Sequence, residues 1–307
     1  MLKNKLTIKN NKLQSEVRSG SLSLKDGFAG LEDLNSFGSN FFRYSLIVEY
    51  IGEAFFGSQR QPGVKTVQSE LEFAIKKLLQ CDIKVIFSGR TDRGVHAKNQ
   101  VVHFNVPFEL NINRFLYSLN AILSEHISVK NMQKVNNTFH SQISAKYRWY
   151  RYVINNRPYR SVWLDKTSSH VYEKLNVEKM QIALDYLIGK HDFTSFKSTN
   201  TPNPVKECNM YYARINEKSG VIKIDLIANR FLYNMVRIIT GTIIEIGKGI
   251  YPPEHMMKVL ESKNRTCAGH TAEACGLTLM AIGYDEKYNI KMSMENNNNE
   301  DLLCKAS

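Results

Sequence analysis

The chain has 307 residues, 43% of them hydrophobic, which is enough for one large domain or two modest ones with cores of their own. Its 41 Lys and Arg outnumber 29 Asp and Glu, and the net charge of +12 points to a polyanionic partner, either nucleic acid or an anionic membrane surface. No apolar run approaches the roughly 18 residues of a membrane span, and the N-terminus lacks the apolar core of a secretory signal, so a soluble intracellular protein is expected.

Residues 1–42 carry Lys3, Lys5, Lys9, Lys12 and Arg18 with little apolar periodicity, and read as a disordered basic extension. The cytoplasm is the expected location; a mitochondrial one is the alternative, in which this stretch would be a transit peptide. "YSLIVEY" (44–50) alternates as a half-buried strand. Thr66 caps a predicted helix whose apolar positions are Val67, Leu71, Ala74, Ile75 and Leu78. Strands are predicted at 83–87 and 100–106, a helix at 112–123 and a strand at 126–132, so the order is β-α-β-β-α-β.

A second pass follows: a strand at 147–154, a helix from Val177 ending at Gly189, and strands at 207–215 and 220–228 joined by a hairpin turn at Lys218, Ser219 and Gly220. A long helix is predicted over 230–247, a shorter one from Pro253 and a last strand at 276–284, before a polar tail containing "MENNNNED". The expected fold is α+β, two ferredoxin-like halves with mostly antiparallel sheets and a basic cleft between them. The expected divisions are a 1–42 extension, 43–137 and 138–287 as the two halves, and a 288–307 tail.

Chemistry can be sought in a few places. "SGRTDRGVHA" (88–97) sets Asp92 between Arg90 and Arg93 in a loop with two glycines. Read alone, this is a turn with a surface ion pair; the functional alternative is a carboxylate kept anionic by cations and available as a nucleophile. In "RWYRYV", alternation sends Arg148, Tyr150 and Tyr152 to one face and Trp149 and Arg151 to the other. A tyrosine stripe is ordinarily core, but one mixed with arginine suits a surface that stacks bases and contacts phosphates. Arg237 shares a polar flank of the long helix with Arg230, Tyr233 and Asn234, and needs either solvent or a carboxylate partner. His191 and Asp192 read as fold-holding, and His96 and His103 as lone histidines.

Five cysteines include no C-x-x-C pair, and no His, Cys, Asp and Glu set has metal-ligand spacing, so no metal is expected. Neither a P-loop nor a G-x-G-x-x-G occurs, so no nucleotide cofactor is expected either.

"GRTDRGVHA" closely resembles the signature loop of the TruA-type tRNA pseudouridine synthases. "FHSQISAKYRWYRYVI" (139–154), "GKHDFTSF" (189–196) and "RFLYNMVRIITG" (230–241) resemble the family's other blocks in order, over about residues 43–285. The resemblance implies that Asp92 is the catalytic aspartate, that Tyr150 stacks on the base and takes the C5 proton, that Arg237 pairs with Asp92, and that Leu279 packs near the base. Arg90, Arg93, His96, Arg148 and Tyr152 are the expected substrate-binding residues. It further implies a uridine flipped out of a tRNA anticodon stem-loop and rejoined through C5 without any cofactor, by a homodimer.

This chain departs from the family pattern at Ser58, where Trp is usual, Gln142 for Arg, Glu273 for Pro, and Arg93 for Ala. None touches the three proposed catalytic positions; they bear on which RNA and which uridine are chosen. A non-catalytic RNA-binding or RNA-folding protein on the same scaffold is the competing reading. Membrane docking is weaker, because no helix combines a basic face with a strong apolar one.

Overall fold

In a computed structural model of the chain, which describes residues 41–198 and 206–290, the strands join into one sheet. The first half runs β1 (Phe42–Tyr50), α1 (Val67–Leu79), β2 (Ile86–Phe87), β3 (His96–Val106), α2 (Ile112–Ile122) and β4 (Ile127–Val135). The second runs β5 (Ala145–Asn155), β6 (Ser169–His170), α3 (Val177–Asp185), β7 (Gly189–Asp192), β8 (Glu207–Lys218), β9 (Val221–Ala228), α4 (Met235–Gly247), α5 (His255–Ser262) and β10 (Leu277–Tyr284).

The strand order is β4-β1-β3-β10-β5-β9-β8-β7, with β2 on β3 and β6 on β5. Within each half the main neighbours are antiparallel; the halves meet through one short parallel pairing, Thr278 and Leu279 of β10 against His96 and Ala97 of β3. The expected pair of β-α-β-β-α-β halves thus shares a continuous sheet. Tyr44, Leu46, Val48, Val102 and Phe104 form a core with Leu71 and Ile75 of α1 and Phe115 and Leu119 of α2. Tyr152, Ile154, Ile224 and Leu226 form another with Met180 and Leu184 of α3, Ile239 and Ile243 of α4, and Val259 of α5.

The local chemistry explains most boundaries. Thr66 accepts from the Ser69 N–H while Ser69 reaches back to the Thr66 N–H, a reciprocal cap that starts α1. Asn111 caps α2 singly, its Oδ1 accepting from the Arg114 N–H at 3.0 Å. Ser219 and Gly220 both take positive φ, 54° and 75°, the conformation of a tight hairpin turn between β8 and β9.

Three expectations change. The predicted strand over 83–87 shrinks to Ile86–Phe87, because the Val85 N–H donates to the Glu72 carboxylate at 2.9 Å instead of to a ladder. The helix predicted from 230 begins at Met235: Asn234 sits at φ 61°, and the Met235 N–H turns back to the Leu232 carbonyl. Arg230 and Tyr233 are therefore loop residues rather than a helical flank of Arg237. Tyr288 and Ile290, expected in the tail from 288, pack on the first-half core, Tyr288 at 5.2 Å from the Phe139 ring. Of the extension expected over 1–42, Phe42 already belongs to β1 and residues 1–40 lie outside the described residues, as does the expected tail from 291 to 307. Among the described residues no helix is long and apolar enough to cross a membrane.

Candidate active site

Asp92 lies in the loop between β2 and β3, on the seam where β3 meets β10. The Phe55–Ser58 turn is laid against it: the Ser58 N–H donates to the Thr91 carbonyl at 3.0 Å and the Thr91 N–H donates to Ser58 Oγ at 2.8 Å. Gly57 sits at φ 87°, and a Cβ there would lie 3.0 Å from the Thr91 oxygen, so glycine is required on both grounds. Thr91 is further tied through its hydroxyl to Tyr50 Oη at 2.7 Å. Burial pushes the Tyr50 phenol up to about 12, with the Thr91 bond opposing it. Ser58, Thr91 and Tyr50 are all buried. The loop is thus held from two sides by hydrogen bonds that replace ladder pairing.

Arg237 reaches the loop from the first turn of α4. Its guanidinium Nη1 is 3.6 Å from Asp92 Oδ2, with the two side chains 19% and 24% exposed. Arg237 is aimed by two further bonds, Nε to the Ala272 carbonyl at 2.7 Å and Nη1 to Asn234 Oδ1 at 3.1 Å. Burial raises the Asp92 carboxyl above the usual carboxylate range, and the charge of Arg237 opposes that rise. The cation that matters is consequently the distant one. Arg90 and Arg93, its chain neighbours, are both exposed, and neither forms an ion pair with Asp92 among the described residues.

Tyr150 stands in β5, paired in register with Leu279 on one side and Leu226 on the other. Its ring meets Phe231 edge-on at 5.2 Å between centroids. Burial lifts its phenol well above the ordinary tyrosine value, and the negative charge of Asp92 adds to the lift. The group is a neutral phenol close enough to feel the carboxylate. Leu279 is buried beneath the seam, opposite both Tyr150 and Ala97.

The other expected site residues are spent on the fold. His96 is buried; its Nδ1 accepts from the Gly52 N–H at 3.1 Å, so Nε2 carries the proton and donates to the Cys275 carbonyl at 3.0 Å. Burial lowers its pKa, in keeping with a neutral ring. Arg148 gives its guanidinium to the carbonyls of Asn229 at 2.7 Å, Gln142 at 3.0 Å, and Ser88 and Ala145 at 3.3 Å, which ties three loops together. Tyr152 is fully buried, its hydroxyl donating to the Glu273 carbonyl at 2.8 Å. Arg148 and Tyr152, which alternation placed on a face suited to stacking bases and contacting phosphates, here donate to backbone carbonyls.

Sequence reasoning missed Tyr50, Thr91, Phe231 and the carbonyls of Ala272, Glu273 and Cys275 as parts of the site. That short segment accepts hydrogen bonds from Arg237, Tyr152 and His96 in turn, and so couples α4, β5 and the Asp92 loop. Backbone carbonyls carry no residue signature, which is why no motif marks it. Phe231 was inside a quoted block but was given no role there, whereas Asn234, placed beside Arg237 from the sequence, does accept from its guanidinium.

A family model described as tRNA pseudouridine synthase matches residues 46–142 and 183–285. The chain is 39% identical over 240 residues to a protein of Bacillus pumilus named tRNA pseudouridine synthase A, covering 78% of this chain and 97% of that one. Proteins of the same name from Bacillus licheniformis and Colwellia psychrerythraea are 40% and 38% identical, over 79% and 82% of this chain and 99% and 97% of theirs.

Proposed function

The chain belongs to the tRNA pseudouridine synthase family, isomerases of a base already within tRNA, and from that premise we propose that it converts uridines of the anticodon stem-loop to pseudouridine with Asp92 as nucleophile. The observation that carries the reading is the approach of Arg237 to Asp92 at 3.6 Å beside the Tyr150 ring.

The chemistry needs an ionised acid that is poorly hydrated, held in place and facing a base. Asp92 is desolvated by burial, and Arg237 keeps the charge compensated and directed. A uridine flipped from its stack rests on Tyr150, with Leu279 below. An Asp92 oxygen attacks C1′ as the C1′–N1 bond breaks, and the electron pair leaves on the uracil. The uracil turns, C5 attacks C1′, and the carboxylate departs with its electrons. The proton on C5 is then lost and N1 gains one, so the product is an isomer and no electrons are exchanged with any cofactor. Tyr150, a neutral phenol, serves as stacking surface and proton relay rather than as a phenolate base.

The halves 43–137 and 138–287 divide the work: the first carries the Asp92 loop, the second Tyr150 and Arg237. Exposed Arg90 and Arg93 are cations for the RNA backbone, and the active form is a cytoplasmic homodimer. A non-catalytic RNA-binding protein on this scaffold would need the basic cleft but not a carboxylate desolvated against an arginine. Incubating the protein with tRNA transcripts and mapping pseudouridine by carbodiimide modification and primer extension tests the reading. Stops at anticodon stem-loop uridines are expected; stops confined to other regions would overturn the assigned position.

A further inference from the structure

Beside the catalytic loop stands a pair that the mechanism does not use. The Arg93 guanidinium carbon lies 4.2 Å over the centre of the Phe56 ring. Phe56 is 42% exposed, although it is a large apolar side chain. Its backbone is fixed nonetheless: its N–H donates to the Lys65 carbonyl at 2.9 Å, and its carbonyl accepts from Gln61 Nε2 at 2.8 Å. The following Gly57–Ser58 turn is clamped to Thr91, two residues before Arg93. Ring and guanidinium are thereby brought together by the same hydrogen bonds that place Asp92.

Among the described residues the Arg93 guanidinium makes no hydrogen bond or ion pair, and the stack is its one recorded contact. An exposed arginine is ordinarily a mobile, solvated cation. This one rests on an aromatic ring with its N–H donors unspent among the described residues, so less ordering remains to be done on binding. A planar fork of that kind matches the oxygens of a phosphate two at a time. Adjacent residues direct their side chains apart, so Arg93 faces outward from the loop whose Asp92 turns toward Arg237. A group held by Arg93 therefore belongs to the strand flanking the reacting nucleotide, not to that nucleotide's base.

We propose that Phe56 and Arg93 form a preorganised phosphate clamp that grips the RNA backbone next to the target uridine and contributes to the choice of site. The inference rests on the RNA-modifying reading above, and the test separates the two. Filter binding of tRNA to the full chain over a potassium chloride series gives Kd and its salt slope, and single-turnover tritium release from [5-³H]uridine tRNA gives the reaction.

For Arg93→Ala we expect Kd to rise roughly tenfold at low salt and the slope of log K against log salt to fall by about 1. Arg93→Lys should restore the slope but not the full affinity, and Phe56→Leu should keep the slope and weaken binding about threefold. A wild-type Kd and slope in Arg93→Ala overturns the clamp. So does a slower reaction with Kd and slope unchanged, since Arg93 would then act on the Asp92 loop instead. Wild-type protein that binds tRNA without releasing tritium would sink the isomerase reading, while the binding series still decides the clamp.

Discussion

Arg237 approaches Asp92 at 3.6 Å from the opposite half of the chain, across the seam between β3 and β10. The acid is desolvated and its one ion-pair partner among the described residues arrives from a separate core, so site and interdomain packing are formed together. A shift of either half by an ångström would uncouple them.

Removing Arg237 leaves the burial of Asp92 unopposed. Activity needs the ionised carboxylate, so it is lost as pH falls through the Asp92 pKa. That pKa is already above the ordinary carboxylate value because of burial, and Arg237 holds it down. In Arg237→Met the acidic limb of kcat/KM therefore moves to higher pH, and kcat falls about 10²-fold or more. A pH–rate profile checks both; an acidic limb at its wild-type position contradicts the pairing.

The Tyr50 hydroxyl is a positioning group, since it touches Thr91 and not the reacting carboxylate. Tyr50→Phe removes the buried hydroxyl that bonds Thr91 and interacts with Gln100, at a cost of about 1 kcal/mol in stability. We expect kcat to fall about fivefold as the loop loosens. Denaturant midpoints and steady-state kinetics measured side by side would reveal whether only stability has changed, which would remove Tyr50 from the account.

On the reverse face of the sheet, Asp225 accepts from Trp149 Nε1 at 2.7 Å and from Arg151 at 2.8 and 3.0 Å. Asp225→Ala strands a half-buried arginine and a fully buried indole N–H, so a loss of about 3 kcal/mol is expected in urea unfolding. A loss below about 1 kcal/mol would mean that the triad is held by packing alone.

His103 is buried with no partner for Nε2 among the described residues, and burial takes its pKa from 6.5 to about 3. Between those values the unfolded chain binds a proton that the folded chain refuses, so stability falls as pH falls through that window. The slope reaches at most about 1.4 kcal/mol per pH unit. His103→Gln should flatten that dependence while leaving its own constant cost. Urea midpoints at pH 7 and pH 4.5 that change in parallel for the two proteins would contradict it.

Much of the frame could be read from the chain. Side-chain alternation marked β1 and β5, although β1 is buried on both faces, and Thr66 marked the start of α1 because a side-chain cap is a local signal. The two passes of strands and helices were legible for the same reason. What escaped was set by tertiary contact. Strand 83–87 lost its ladder to the Glu72 carboxylate, α4 lost its first turn to Asn234 in the left-handed region, and Tyr152 and Arg148 turned from surface to strut. At Asp92 the sequence neighbours Arg90 and Arg93 form no ion pair with it among the described residues, and the partner, Arg237, lies in another motif.

The most direct measurement is C5 tritium release from [5-³H]uridine tRNA by the wild-type protein and by Asp92→Asn, which keeps the shape and hydrogen-bonding size of the side chain and removes its charge. Stoichiometric release by the wild type and none by Asp92→Asn, with tRNA binding retained in both, is the predicted result. Release by Asp92→Asn at the wild-type rate would contradict the assignment of Asp92 as the reacting carboxylate.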